Sequence, residues 1–301
     1  MRRLFFLLCL LPFIQGCKQD EPVVLPFNDR LKVTSIYLLN PESGDNYKRW
    51  STYFTYNQEG RITQQKEVRY NYQFNDSDST ITHFEYPSNH KIKAWYSYDP
   101  QGIYINEFYF YHRSGNLDTI ETRLSIGGGS PFRSFTYNAN GELIKGLCFG
   151  NGLFANNDTM IYENGNLVKI IGKREGAPEP YISGTIYTHE MEYYSSVPPP
   201  YRKFLQNINL STIGDLVEGK EIAADGLGMD LFNWSNFTGI NWLGKNQNAL
   251  IKRYRFSFDN IYYDDFSFSY EFDSKGRTTK KTTVNNSIGK VVRITTYEYF
   301  N

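Results

Sequence analysis

Cysteine is scarce and net charge is absent. The 301 residues hold three cysteines, four histidines, four methionines and four tryptophans, with 32 basic side chains against 32 acidic ones. A balanced chain lacks the basic face that nucleic-acid binding needs, so no nucleic-acid partner is expected. The longest apolar run, Leu4 to Ile14, falls well short of the ~20 residues of a spanning helix. His83, His90, His112 and His189 form neither His-x-x-x-His nor His-Glu-x-x-His, and the sequence reads all four as surface or turn residues. No metal site and no cofactor are expected. Neither a Gly-x-Ser-x-Gly elbow nor a dinucleotide loop is present, and Gly127-Gly128-Gly129-Ser130 lacks the lysine of a phosphate loop. Long amphipathic helical patterns are scarce.

The first residues have the order of an export signal. Arg2 and Arg3 form a positive start, and the apolar run from Leu4 to Ile14 has signal-peptide length. Ile14-Gln15-Gly16-Cys17 follows and resembles a bacterial lipobox. The resemblance implies cleavage before Cys17, diacylglycerol on its sulfur and acylation of the new amine. Two or more acyl chains hold a protein stably at a membrane, so the membrane becomes a partner through the lipid on Cys17. Residues 1–16 are then a lipoprotein signal peptide, 17–30 the lipidated cysteine with an extended tether, and 31–301 a single β-repeat domain. Lys18-Gln19-Asp20-Glu21 resembles the surface-export signal of Bacteroidota-type lipoproteins, which implies an outer-membrane lipoprotein facing the exterior. The periplasmic face is the alternative. Cys9 leaves with the signal and Cys17 is acylated, so Cys148 remains alone and no intramolecular disulfide forms. Its apolar setting, Leu147-Cys148-Phe149, reads as an inert buried thiol.

Aromatics are abundant, with 25 Tyr and 22 Phe. Such residues suit a pleated, half-buried surface, and alternation of period 2 is common. Phe266, Phe268, Tyr270 and Phe272 alternate with Ser267, Ser269 and Glu271, and Tyr254, Phe256 and Phe258 do the same upstream. From Phe108 to Tyr111 both faces are aromatic, as in a strand covered on both sides or one with an exposed tyrosine row. A short unit also recurs: an aromatic, three residues, Gly, any residue, then often an aliphatic. Its aromatics are Tyr56, Tyr98, Tyr111, Tyr137, Tyr162 and Phe272, the Tyr162 copy being one residue shorter. Its glycines are Gly60, Gly102, Gly115, Gly141, Gly165 and Gly276. The pattern predicts a strand ending near the aromatic, a turn opened by Asn or Asp, and Gly closing the hairpin at positive φ. These units are similar to YD repeats, the tyrosine-aspartate hairpins of RHS-type proteins. With the lipobox, the chain resembles an uncharacterised family of Bacteroidota surface lipoproteins, which supplies no catalytic residue.

The fold expected is mainly β: an antiparallel meander of hairpin repeats forming an extended curved sheet, with a small irregular or helical insertion at about 198–250, where the repeats vanish. Trp234 and Trp242 in that insertion are candidate stacking residues for a sugar, against the plainer reading that they pin the insertion to the sheet. Asp76-Ser77-Asp78 begins like a calcium loop without its turn glycine or distal Glu. Asp264-Asp265 is expected at a hairpin tip, and as strand neighbours the two would face opposite ways and make a poor catalytic pair. Asp78-Ser79-Thr80, Asp118-Thr119-Ile120 and Asp158-Thr159-Met160 resemble the O-glycosylation site of exported Bacteroidota proteins, which makes Ser79, Thr119 and Thr159 candidate acceptors. The leading function is a non-enzymatic cell-surface lipoprotein that binds a glycan, peptide or protein. The alternatives are a carboxylate-dependent enzyme acting on polysaccharide or peptidoglycan, with its catalytic residues unassigned, and a structural shell component.

Overall fold

The computed structural model describes residues 30–300 except 73, 89, 98–104, 114–115, 124–131, 151–153, 176–185, 196–248 and 260. Sixteen strands follow one another: β1 (Leu31–Leu39), β2 (Asn46–Tyr56), β3 (Ile62–Asn71), β4 (Asp76–Ser88), β5 (Lys91–Ser97), β6 (Ile105–Arg113), β7 (Asn116–Arg123), β8 (Phe132–Tyr137), β9 (Leu143–Gly150), β10 (Phe154–Glu163), β11 (Asn166–Glu175), β12 (Ile186–Tyr193), β13 (Ile251–Phe258), β14 (Ile261–Phe272), β15 (Thr278–Asn285) and β16 (Lys290–Tyr299). Each strand pairs antiparallel with its neighbours in sequence, and β1 pairs with β16. The meander is therefore a closed barrel and not the open curved sheet that the repeats suggest. Local pattern specifies hairpins; closure needs the first and last strands to meet. They do so over Leu31↔Tyr299 to Leu38↔Arg293, and the Phe300 N–H donates to the Arg30 carbonyl at 3.1 Å. Closure removes both sheet edges and with them the unpaired backbone that invites aggregation.

The two faces differ sharply. Phe54, Phe84, Ala94, Phe108, Phe110, Ile120, Leu143, Met160, Leu167, Ile170, Tyr187, Met191, Ile251, Tyr254, Phe256 and Phe268 belong to one buried apolar cluster that runs from β2 to β14. Register puts them on a single face: Phe84 opposes Ala94, Ala94 opposes Phe108, and Phe110 opposes Ile120. Phe110, Ile120, Leu143, Leu167 and Ile251 are 0% exposed. A closed barrel buries the side chains turned to its own interior, so the face that carries this one cluster is the inner one. The alternating residues point outward. Along β6 that gives Phe108 and Phe110 inside with a tyrosine row, Tyr109 and Tyr111, outside.

Tyrosines near strand ends, Tyr56, Tyr137 and Tyr162 of the recurring unit among them, latch successive hairpins. Tyr56 donates its phenol to the Leu31 carbonyl at 2.8 Å, Tyr86 to Ile62 at 2.8 Å, Tyr193 to Leu167 at 2.6 Å, Tyr270 to Ile251 at 2.9 Å and Tyr299 to Thr278 at 3.0 Å. Tyr137 and Tyr162 also hydrogen-bond the backbone, at Leu117 and Leu143. Each acceptor lies first or second in the strand just before the one whose last residues include its tyrosine. The residue ahead of the acceptor then covers the ring: the Arg30 guanidinium lies 5.6 Å from the Tyr56 centroid, Arg61 5.2 Å from Tyr86, and Arg277 4.5 Å from Tyr299. A net gain of about 1 kcal/mol per phenol–carbonyl bond, repeated around one rim, fixes the stagger of successive hairpins. Tyr111 departs from the pattern and turns outward to Glu121.

At that rim the turns share one geometry. Gly60 N–H donates to Asn57, Gly141 to Asn138 and Gly276 to Asp273, each at 3.0 Å, while the Asn or Asp side chain accepts the N–H of Arg61, Glu142 or Arg277 at 2.9 Å. Gly60, Gly141 and Gly276 have φ of 82°, 79° and 79°, the left-handed region where a Cβ is unfavourable. Gly165 has φ 74° in a two-residue turn behind Asn164, at φ 51°, the arrangement of a type I′ hairpin.

Candidate functional site

The outer face of β4–β7 carries a dense aromatic and ionic network. Register sets it: His83 opposes Trp95, Lys93 opposes Tyr109, Lys91 opposes Tyr111, and Tyr109 opposes Glu121. The His83 and Trp95 rings stack at 5.2 Å and 17°. The Lys93 ammonium lies 5.2 Å from the Trp95 centroid and 2.6 Å from a Glu107 oxygen, and the Tyr109 hydroxyl donates to the other Glu107 oxygen at 2.7 Å. Lys91 and Arg123 stand over Tyr109 at 4.5 and 4.6 Å. Arg123 also meets Glu121 at 2.9 Å, and Tyr111 donates to Glu121 at 3.1 Å. Hydrogen bonds from Lys93 and then Tyr109 hold the Glu107 carboxyl below its usual range, and the bond from Arg123 does so for Glu121.

A ladder of ion pairs continues the charged exterior across β11–β15. Lys169 meets Glu190 at 3.1 Å, Arg255 meets Glu190 at 3.5 Å and Glu192 at 3.1 Å, and Arg253 meets Glu192 at 3.8 Å. Arg253 grips Asp265 through Nε at 2.8 Å and Nη2 at 2.5 Å, with Asn286 donating to Asp265 at 2.7 Å. Lys280 and Glu271 pair at 2.8 Å.

A second polar group lies inside the wall. Asp158 opposes Gly172, which opposes Tyr187. With no side chain at Gly172, the Tyr187 ring crosses it and the phenol donates to Asp158 Oδ1. Asp158 Oδ2 is buried and has no partner among the described atoms. Burial pushes the Asp158 carboxyl up to about 7, partly offset by the Tyr187 bond. Beside it, His189 Nδ1 lies 2.6 Å from the Tyr254 hydroxyl, between the rings of Tyr187 and Phe256. Burial pushes His189 down to about 3, so the ring is neutral. These groups are 0–2% exposed. The arrangement is a packing device sealed in the wall, with one carboxylate oxygen unpartnered among the described atoms. It also corrects the surface reading of His189, whose alternation with Tyr187 and Met191 on an apolar row is the signal that places it inside.

Cys17, Trp234, Trp242, Gly102, Gly115 and most of the expected insertion lie outside the described residues. Cys148 falls in β9. Ser79, Thr119 and Thr159 all point outward, Ser79 and Thr159 exposed and Thr119 half-buried beside Asp118. Asp158, next to Thr159, points inward. Asp264 and Asp265 sit within β14 and not at a hairpin tip, because the reversal comes earlier, after Asp259. They face opposite sides, with Asp265 committed to Arg253. Asp76 and Asp78 open β4. Among the described residues no three His, Cys, Asp or Glu side chains group as metal ligands, and no helix is long and apolar enough to cross a membrane. The outer network of β4–β7 was missed in the sequence. Its one visible trace was the alternation of Tyr109 and Tyr111 with phenylalanines.

No family model and no curated protein matches the chain. Solved structures do. A porin-like protein from Bacteroides uniformis superposes with a TM-score of 0.60 at 16% identity, covering 93% of this chain and 100% of that one. A porin-like protein from Bacteroides vulgatus does so with a TM-score of 0.55 at 14% identity, covering 89% and 98%. At such identities the likeness shows the fold: this chain is a closed antiparallel barrel similar to those porin-like structures.

Proposed function

We propose that the chain is a non-enzymatic, lipid-anchored barrel of the outer membrane, held at the bilayer by Cys17 and standing outside the hydrocarbon, where its outer face meets a partner. The porin-like neighbours support the outer-membrane assignment, and the lipobox-like Ile14–Cys17 supports the anchor. The distribution of charge over the two faces carries the rest. A spanning barrel turns an apolar band to lipid and a polar lining to its lumen. Here the balance is reversed: phenylalanine, leucine and isoleucine dominate the inside, which also holds Asp158, Lys281 and the Arg69–Glu67 pair, and Lys93, Glu107, Arg123, Lys169, Glu190, Arg255 and Arg253 stud the outside. A basic side chain at the bilayer midplane costs a barrel about 2–4 kcal/mol, so the ion-paired charge on the outer faces of β4–β7 and β11–β15 opposes insertion.

The absence of catalysis is supported by where the perturbed groups lie. Asp158 and His189 are sealed in the wall, and Glu107, Glu121, Glu190 and Asp265 on the outside are held in ion pairs. Cations already cover the Tyr109 and Trp95 rings, which favours a protein partner with its own charges over a sugar stacked on a free ring. The test is palmitate labelling of the chain and of its Cys17→Ser variant, with protease treatment of intact cells. Label lost with Cys17 and digestion from outside support the reading; unlabelled protein cleared entirely to the medium overturns it.

A further inference from the structure

The two rims of the barrel differ. Among the described residues the rim of the latched turns exposes Gln58, Glu59, Asn140, Glu163, Asn164, Ser274 and Lys275, with Pro87 and Ala139 as its small apolar members. The opposite rim carries seven of the ten exposed large hydrophobics among the described residues: Tyr47, Tyr72, Phe74, Ile186, Ile261, Ile288 and Val291. Phe74 is 71% exposed. Three adjacent hairpin ends, β15/β16, β1/β2 and β3/β4, hold five of them, and Tyr72 N–H donates to the Tyr47 carbonyl across two of these ends at 3.0 Å. Ile186 and Ile261 open β12 and β14, further round the ring.

We infer that this rim rests on the lipid surface that holds Cys17, so the barrel stands with its axis toward the membrane. The inference rests on the anchored, non-spanning reading above. Apolar tips on three adjacent hairpin ends, with Ile186 and Ile261 further round, share one end of the barrel and can touch a flat surface together. The tether permits it. β1 has nine residues and is roughly 30 Å long. The link from Cys17 to Leu31 reaches at most about 45 Å when extended, enough to run the height of the barrel back to the far rim. Glu42, Asp45 and Asp76 flank the tips alongside Lys48 and Lys290. The rim therefore offers no net positive field, and contact is by apolar side chains entering the headgroup boundary.

The experiment uses the chain beginning at Lys18. It lacks the signal and the acylated cysteine, and its barrel closes through β1 and β16 without them. Flotation with phosphatidylcholine vesicles is expected to show weak binding that changes little between low and high salt. The double variant Tyr72→Ser/Phe74→Ser is expected to lower the partition coefficient at least tenfold, while Ile81→Ser/Ile161→Ser on the barrel flank leaves it unchanged. In a chain carrying Phe74→Trp and no other change, quenching by brominated lipid should exceed that of the parent. No vesicle binding, equal losses from rim and flank variants, or self-association abolished by Tyr72→Ser/Phe74→Ser would each overturn the inference, the last by identifying a second copy as the occupant. Palmitate labelling at Cys17 reads the anchor independently, so failure there leaves the rim result standing and failure at the rim leaves the anchor standing.

Discussion

Gly172→Ala should unfold the wall around Asp158. A Cβ at this position would overlap Cζ, Cε2 and Oη of Tyr187. The overlap is with a ring that is 1% exposed in the core. Displacing it costs about 1–3 kcal/mol of overpacking. The shift also breaks the phenol bond to Asp158, whose other oxygen already has no partner. A buried polar group left unpaired adds about 1–3 kcal/mol. The total of about 2–6 kcal/mol corresponds to a fall of roughly 5–20 °C in Tm for a domain of this size. Differential scanning calorimetry, with urea melts to check that the slope is unchanged, measures it. The mechanism also predicts coupling. With Tyr187→Ala in place the obstacle is gone, and Gly172→Ala should then add less than about 1 kcal/mol. A Gly172→Ala chain that melts within about 2 °C of the parent, or costs that simply add in the double variant, would refute the packing argument.

The buried acid and the buried imidazole pull stability in opposite directions with pH. Asp158 keeps its proton in the folded state up to about 7 but loses it near 4 when unfolded, so its contribution falls as pH rises through that window. His189, depressed to about 3, stays neutral when folded while the unfolded ring is charged below about 6.5, so its contribution grows as pH rises from 3 to 6.5. The Asp158→Asn variant should therefore gain stability more steeply than the parent between pH 4 and 6.5 in chemical melts; an unchanged slope contradicts the burial of Asp158. Tyr193→Phe, which removes one latch, should cost about 0.5–1.5 kcal/mol, rising toward 3 if no water reaches the Leu167 carbonyl; a neutral result would show that the latches do not bear load. Arg253→Ala, despite its bidentate contact with Asp265, should cost no more than about 1 kcal/mol because the pair is partly solvated, with the loss shrinking in high salt.

The parts of the fold that were readable in sequence are those set by neighbours in the chain. The aromatic row at Phe266 and Phe268 and the turns closed by Gly60, Gly141 and Gly276 are local facts. Closure was not readable, since it depends on strand count and accumulated stagger. The latch escaped for a related reason: Tyr86 and Tyr193 are recognised by carbonyls of Ile62 and Leu167, 24 and 26 residues upstream, and a backbone acceptor leaves no residue type to notice. Asp158 drew attention as the neighbour of Thr159, although alternation sends the two to opposite faces. Gly172 gave no signal, because its role exists only through Tyr187 on the next strand. The apolar rim was invisible because Phe74 and Ile288 stand beside polar turn residues and become neighbours only when the barrel is closed.

The account turns on which face of the wall meets water, and phase partition in Triton X-114 reads that directly. The chain beginning at Lys18 should stay in the aqueous phase as a folded β protein, while the acylated chain moves to the detergent. Detergent partition of the unacylated chain, with its strands protected from hydrogen exchange only in the presence of detergent, would mean that lipid covers the ion-paired exterior, and would contradict the assignment of the two faces.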